Sequence, residues 1–200
     1  MSHTLSRWLS IPSIATARSA KGIKGKDLEK TVVYLSEQAH HSLPKALRLT
    51  GLGECIIRHI ALDGGYRMDP VALRKQVGSD LRDGLHPFLL IANAGSTAVG
   101  AVDALGPLAD VAESHGLWFH VDAAYGGFFL LTDHGKEMMA GIERSDSVVL
   151  DPHEGLFLPY GSGIVLVKDI NHLLKANSYE ANYMQDAQEQ QRRHGDVEHQ

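Results

Sequence analysis

Cysteine is nearly absent from this 200-residue chain. Cys55 stands alone, which excludes an internal disulfide and points to a reducing compartment. Long apolar runs are missing as well. None approaches the roughly 20 residues that span a bilayer, and no cleavable secretory pattern is present, so a cytoplasmic location without a membrane partner is expected. There is no surplus of positive charge: the formal net charge is −5 with all 12 histidines neutral, which leaves no basic field for nucleic acid. A dinucleotide fingerprint is also lacking. Gly51-Leu52-Gly53 has no third glycine, and Gly161 and Gly163 fit a turn into a strand. No internal repeat or low-complexity linker interrupts the chain.

The hydrophobic share of 44% and the charged share of 22% are ordinary for a globular chain. The length suits one α/β domain with a sizeable core, or a piece of something larger. Residues 1–26 contain no acid but carry Arg7, Arg18, Lys21, Lys24 and Lys26. A transit peptide has that composition, yet Ile11 to Arg18 reads better as a helix of the domain itself. From residue 31 onward, short β-rich runs alternate with helical stretches. Strands are expected at Thr31 to Leu35, Cys55 to Leu62, Pro87 to Ala92, Leu117 to Val121, Ser147 to Leu150 and Gly163 to Val167. Helices are expected near Ser42 to Thr50 and from Asp69-Pro70 onward, where Leu73, Val77 and Leu81 recur at i, i+4, i+8. Two more are expected along Leu105, Leu108, Ala109 and Ala112 up to Gly116, and near Gly135 to Arg144. Six strands separated by crossovers imply an α/β fold with a mostly parallel sheet.

Ligands of such sheets sit beyond the carboxyl ends of the strands. The polar segments Gln38 to His41, Asn93 to Thr97, Asp122 to Gly127 and Asp151 to Glu154 all fall there. Each has a plain structural explanation when taken singly. Asp122 would cap the next turn through Ala123 or Tyr125, His40 would sit at a helix N-terminus, and Gly95-Ser96-Thr97 is ordinary turn chemistry. Their convergence on one edge favours a shared site.

Two of these segments carry a more specific signal. His120-Val121-Asp122-Ala123-Ala124-Tyr125-Gly126-Gly127, followed by Ser147 to Gly163 with Asp151-Pro152-His153-Glu154 at its centre, resembles the active site of the pyridoxal-phosphate-dependent amino acid decarboxylases. These form group II, the aromatic amino acid and glutamate decarboxylase family. The resemblance runs from about residue 12 to residue 186. It implies an incomplete large domain of the fold-type I pyridoxal-phosphate enzymes over residues 27–186, preceded by a remnant segment (1–26); the tail (187–200) is polar without an apolar face and is expected to be disordered. It also implies an amino acid substrate, a pyridoxal 5′-phosphate cofactor, and a homodimer or a heterodimer with a related chain.

Residue by residue, the resemblance places Asp122 at the pyridine nitrogen, where a carboxylate keeps the ring protonated and able to accept electrons. Ala124 is small because the ring packs on that strand end. His40 stacks over the ring face and reaches the substrate carboxylate. Thr97 bonds the phenolic oxygen, and Asp151 and His153 lie near the phosphate and the Schiff base. Tyr183 matches a loop tyrosine that protonates the α-carbon after carbon dioxide leaves; a tyrosine on an amphipathic helix is the alternative. His41 matches no cofactor role and is expected at the surface.

One position departs from the family pattern. The residue after Pro-His is the lysine that forms the Schiff base in the family, and here it is Glu154. A carboxylate cannot condense with an aldehyde, and one about 5 Å from a phosphate charge costs about 3 kcal/mol at an effective dielectric of 20. Weak cofactor binding and impaired or absent decarboxylation are therefore expected. Family members are typically more than twice as long, so a truncated or split gene, or a copy released from selection, is a further expectation. The competing reading is a non-catalytic module that pairs with an intact decarboxylase subunit. A metal hydrolase built from His120, Asp122 and His153 is a poor third, because no further ligand has the usual spacing.

Overall fold

Short runs of β-branched and aliphatic residues become the strands of one sheet in the computed structural model of the protein, which describes residues 6–178. The strands are β1 (Thr31–Ser36), β2 (Ile56–Ile60), β3 (His86–Asn93), β4 (Trp118–Asp122), β5 (Ser147–Leu150) and β6 (Ile164–Val167). Their order across the sheet is β2-β1-β3-β4-β5-β6. The first five run parallel, and β6 returns antiparallel against β5. Parallel neighbours require crossovers. The helices are α1 (Ser6–Ala20), α2 (Ser42–Leu49), α3 (Pro70–Arg82), α4 (Leu105–His115), α5 (Asp133–Met138), α6 (Pro152–Gly155) and α7 (Ile170–Asn177). The chain thus has the mostly parallel α/β architecture expected of its alternating pattern.

Helices cover both faces of the sheet, so its central strands are continuously apolar. Every residue of β1 is buried, as is β3 from Phe88 to Asn93. Side chains alternate between two cores. Val32, Tyr34, Leu90, Phe119 and Val121 meet Leu73 and Val77 of α3 and Leu108 and Ala112 of α4. Val33, Leu35, Leu89, Ile91 and Trp118 meet Ile14 and Ala17 of α1 and Leu43 and Leu47 of α2. The helix expected at Ile11 to Arg18 is therefore longer than expected, and it contributes side chains to the second core. Local signals set the ends of other helices. Asp69 caps α3 by accepting from the Val71 amide at 2.8 Å, and Gly116 closes α4 at φ 65°, a left-handed conformation that glycine adopts readily.

Three expectations need correction. Leu81 does not continue the buried stripe of α3; it is 48% exposed, and its neighbour Asp80 is fully buried instead. Asp80 accepts from the Tyr34 hydroxyl at 3.0 Å, from Arg58 Nη2 at 2.8 Å and from Gln76 at 3.0 Å. Hydrophobic periodicity does not register a buried acid that pairs with a partly exposed arginine. The single helix expected over Gly135 to Arg144 is split into α5 and a 3₁₀ turn at Ile142–Arg144. Gly141 breaks it at φ 103°, packed so tightly on α4 that a β-carbon there would overlap the Gly106 amide. The strand expected from Cys55 to Leu62 is shortened to Ile56–Ile60, and Leu62 makes only an isolated bridge to Met68. Tyr183 and the 187–200 tail lie outside the described residues.

The Asp80 network ties β1 and β2 to α3, and burial together with Asp80 holds the Tyr34 phenol far above its ordinary pKa. Asp80→Ala leaves that hydroxyl and the partly exposed Arg58 without their acceptor. The expected cost is about 2–3 kcal/mol, below that of a fully buried pair, read as a lower urea midpoint at unchanged slope. A loss under about 0.5 kcal/mol, the size of an ordinary surface substitution, would show that the network is energetically idle.

Candidate functional site

Register brings the strand ends level. Asn93 at the end of β3 pairs with Asp122 at the end of β4, and Asp122 pairs with Val149 two residues before Asp151. The loops that follow turn across this edge and enclose a cleft of about 210 Å³, which suits one small ring better than the ~300–1,000 Å³ typical of larger ligands. His40 and Gln38 reach it from beyond β1, Thr97 and Ser96 from beyond β3, Asp122, Ala124 and Tyr125 from β4, and Asp151, Glu154 and Tyr160 from beyond β5. Glycine makes the turns possible. Gly95 adopts φ 93°, and a β-carbon on Gly126 would collide with the Ala94 carbonyl, so the loops after β3 and β4 touch backbone to backbone.

The cleft is short of positive charge: among the described residues that line it, none is lysine or arginine. Asp122 accepts from the Ala124 amide at 3.2 Å. Burial raises its carboxyl pKa, and that amide only partly offsets the effect. The side chain of Asp151 is 1% exposed, and neither of its carboxylate oxygens has a hydrogen-bond partner. Burial pushes its pKa up to about 6, with His153 opposing and Asp122 and Glu154 reinforcing. His153 Nε2 lies 3.6 Å from Asp151 Oδ2 and 3.6 Å from Glu154 Oε1, beyond hydrogen-bond length in both cases. Its ring packs against Tyr160 at a centroid distance of 4.4 Å, and its Nδ1 has no partner.

Six of the residues singled out from sequence line the cleft: His40, Thr97, Asp122, Ala124, Asp151 and Glu154. His153 lies beside it, between two of the carboxylates. Tyr183 is outside the described residues. The turn cap expected of Asp122 forms through the Ala124 amide rather than through Ala123 or Tyr125, and the same carboxylate still faces the cleft. His40 likewise has a local bond, its Nδ1 lying 2.7 Å from the Ser42 hydroxyl, and its ring packs on exposed His41 at 4.0 Å. His120 points elsewhere. Its Nδ1 lies 3.0 Å from the hydroxyls of both Ser13 and Ser147, and among the described residues no group of three or more histidine, cysteine or acidic side chains is arranged to hold a metal. Sequence reasoning missed Ser10, which α1 brings to the cleft with no motif to mark it. It also passed over Tyr160, although that residue lies within the 147–163 motif.

This arrangement has relatives. The model of the pyridoxal-dependent decarboxylase conserved domain matches residues 13–199. The chain is 39% identical over 179 residues to an aromatic-L-amino-acid decarboxylase of Bacillus atrophaeus, covering 90% of this chain and 37% of that relative. It is 36% identical over 160 residues to the cysteine sulfinic acid decarboxylase of Homo sapiens, covering 80% of this chain and 32% of that one. Among solved structures, Oryza sativa TDC with PLP and tryptamine superposes with a TM-score of 0.83 at 31% identity, covering 91% of this chain and 38% of the other. Mouse CSAD gives 0.81 at 32% identity, covering 90% and 39%. The chain thus spans under two fifths of the length of these relatives.

The buried carboxyl predicts a pH dependence with a definite sign. Asp151 binds its proton more tightly in the folded chain, so its contribution to stability is largest below the unfolded pKa of about 4 and is lost as pH rises through about 6. His120 acts oppositely: burial lowers its pKa to about 4, so its contribution is lost as pH falls from about 6.5 toward that value. The two slopes overlap, and the difference between variant and parent isolates one of them. Asp151→Asn should gain stability relative to the parent between pH 4.5 and 7, on the order of 2 kcal/mol, in urea unfolding at both pH values. A difference that does not change with pH would show that Asp151 titrates normally.

Proposed function

The chain belongs to the pyridoxal-dependent decarboxylase family, and from that premise we propose that its cleft is a vitamin B6 coenzyme site in which a carboxylate replaces the amine anchor. The observation that carries this reading is the convergence of His40, Thr97, Asp122, Ala124 and Asp151 on one cleft from separate strand ends. The donor set fits the ring of pyridoxal 5′-phosphate. Asp122 has no ion-pair partner among the described residues and its carboxyl favours a proton, which suits an acceptor for a pyridinium N–H. Ala124 leaves room beneath the ring, the His40 imidazole offers a stacking face, and the Thr97 hydroxyl is available to the phenolic oxygen. Asp151 and His153 flank position 154.

Bound there, the coenzyme supplies an electron sink for the pair released when an amino acid loses its α-carboxylate. Asp122 holds the ring proton that makes the sink effective. Tyr183 is the proposed proton donor to the α-carbon. What this chain's residues do not supply is the amine. Glu154 cannot bond to the aldehyde, so coenzyme is held weakly and amino acid decarboxylation by this chain is impaired or absent. A second reading is favoured by the segment beside the cleft. Leu156, Phe157, Leu158 and Tyr160 are exposed, Phe157 to 93%, and such a strip suits a module that docks on an intact decarboxylase subunit, as a heterodimer or within a homodimer. Co-purification with an active decarboxylase would support that reading. Cys55, buried and free, and the absence among the described residues of a helix long and apolar enough to cross a membrane agree with the cytoplasmic location we propose.

Glu154→Lys tests the cleft directly. After incubation with pyridoxal 5′-phosphate and borohydride, peptide mapping should find a pyridoxyl group on residue 154 of the variant, and none at that position in the parent. A folded variant that stays unlabelled at residue 154 while surface lysines are labelled would remove the coenzyme reading.

A further inference from the structure

The cleft is acidic where a phosphate would need positive charge. Asp122, Asp151 and Glu154 line it, and the one lining side chain that can carry a positive charge is His40. Asp151 acts through its field, since its side chain is 1% exposed, whereas Glu154 is 36% exposed at the wall. Asp122 and Glu154 both help to raise the Asp151 pKa, so the three acids share one field. His153 lies beside them with its Nε2 3.6 Å from both Asp151 and Glu154, and any charge it gains is offset there. A phosphate can also be held without cations, by free backbone amides in a loop or at a helix start. Around this cleft those amides are engaged. Gly95 and Ser96 both donate to the Ala101 carbonyl, at 3.1 and 2.9 Å. The Ala123 amide donates to the Val149 carbonyl, that of Ala124 to Asp122, and that of Asp151 to the Ala124 carbonyl. At the start of α2, Ser42 donates to His40 Nδ1 at 3.3 Å and Leu43 to the His40 carbonyl at 3.0 Å.

Resting on the coenzyme reading above, we infer that the cleft takes the B6 ring in its unphosphorylated form, with a hydroxymethyl arm, and discriminates against the 5′-phosphate, Glu154 being the acid that sets the choice. The two forms differ at that arm alone. A phosphate monoester carries about two negative charges at neutral pH, and its ionised oxygens only accept. Three acids repel it, and the engaged amides have no donors to give it. The hydroxymethyl arm is uncharged and both donates and accepts, which suits acids and the hydroxyls of Ser10, Thr97 and Tyr160 alike. Size agrees, because about 210 Å³ holds the ring and little beyond it. No bond is made or broken. The chain thus acts as a reversible holder of the dephosphorylated vitamer. Glu154→Lys removes a negative charge and adds a positive one, so the variant that gains an anchor for the aldehyde also gains a partner for the phosphate.

The test is calorimetric titration of the purified chain with 4-deoxypyridoxine and with its 5′-phosphate. Neither has an aldehyde, so neither bonds to surface lysines. A pH of about 7.5 keeps Asp151 ionised, above the value of about 6 to which burial pushes it. The parent should bind the unphosphorylated ligand at least about tenfold more tightly, a ratio within reach of one like-charge neighbour in a partly shielded site. Raising salt from about 0.02 M to about 0.5 M should narrow that ratio at least about twofold. Glu154→Gln should cut it to about threefold or less, and Glu154→Lys should bring it to parity or reverse it, both variants being checked for unchanged secondary structure by circular dichroism. Equal binding of the two ligands by the parent, or tighter binding of the phosphate, would overturn the inference and leave the coenzyme site standing. A preference that salt does not narrow, or that folded Glu154 variants keep, would overturn it as well, since charge would not be its source. Should a variant fail to fold, the salt series on the parent decides. Binding of neither ligand would overturn the coenzyme reading and the inference together.

Discussion

Removing carboxylates from water without giving them a cation is the constraint around which this cleft is organised. An acid at the end of a buried strand has few ways to avoid the cost: a proton, a set of donors, or a positively charged neighbour. Asp122 has one backbone donor and Asp151 has none, and for both the result is a carboxyl that resists ionisation. In the coenzyme site proposed above, the ring N–H is the donor that Asp122 would meet.

The sheet makes this concentration unavoidable. Parallel strands end at one edge, and their register holds Asn93, Asp122 and Val149 level, so whatever follows each strand is delivered to the same place. Side-chain alternation then sends Tyr34 and Phe119 into one core and Leu89, Ile91 and Trp118 into the other. Two apolar layers hold the edge rigid while the loops beyond it stay polar. Backbone contact between Gly95 and Gly126 closes the floor, because any side chain at either position would force the loops apart.

Much of the fold was legible because its signals are local and repeat. Continuous apolar runs marked β3 and β4, Asp69-Pro70 marked the start of α3, and Gly116 marked the end of α4. Two of the errors share one cause: they depend on a partner distant in sequence. Asp80 displaced Leu81 from the core because Arg58 and Tyr34 were waiting for it. Gly141 broke a helix because α4 lies against it. The site followed the same rule. Acids and glycines within motifs were visible from sequence, while Ser10 was not, since nothing near it in the chain announces that α1 crosses the cleft.

Residue order alone determined the strand count of the sheet, the edge at which chemistry gathers, the family likeness and the replacement of an amine by Glu154, because each follows from hydrophobic period or from a short motif. Only the tertiary structure decided that Asp151 is buried without a donor, that His153 lies between two acids, and that His120 turns to Ser13 and Ser147 rather than to the cleft. The reason is physical: a motif specifies which groups are present, but solvation and partnership depend on what the rest of the chain brings within a few ångströms.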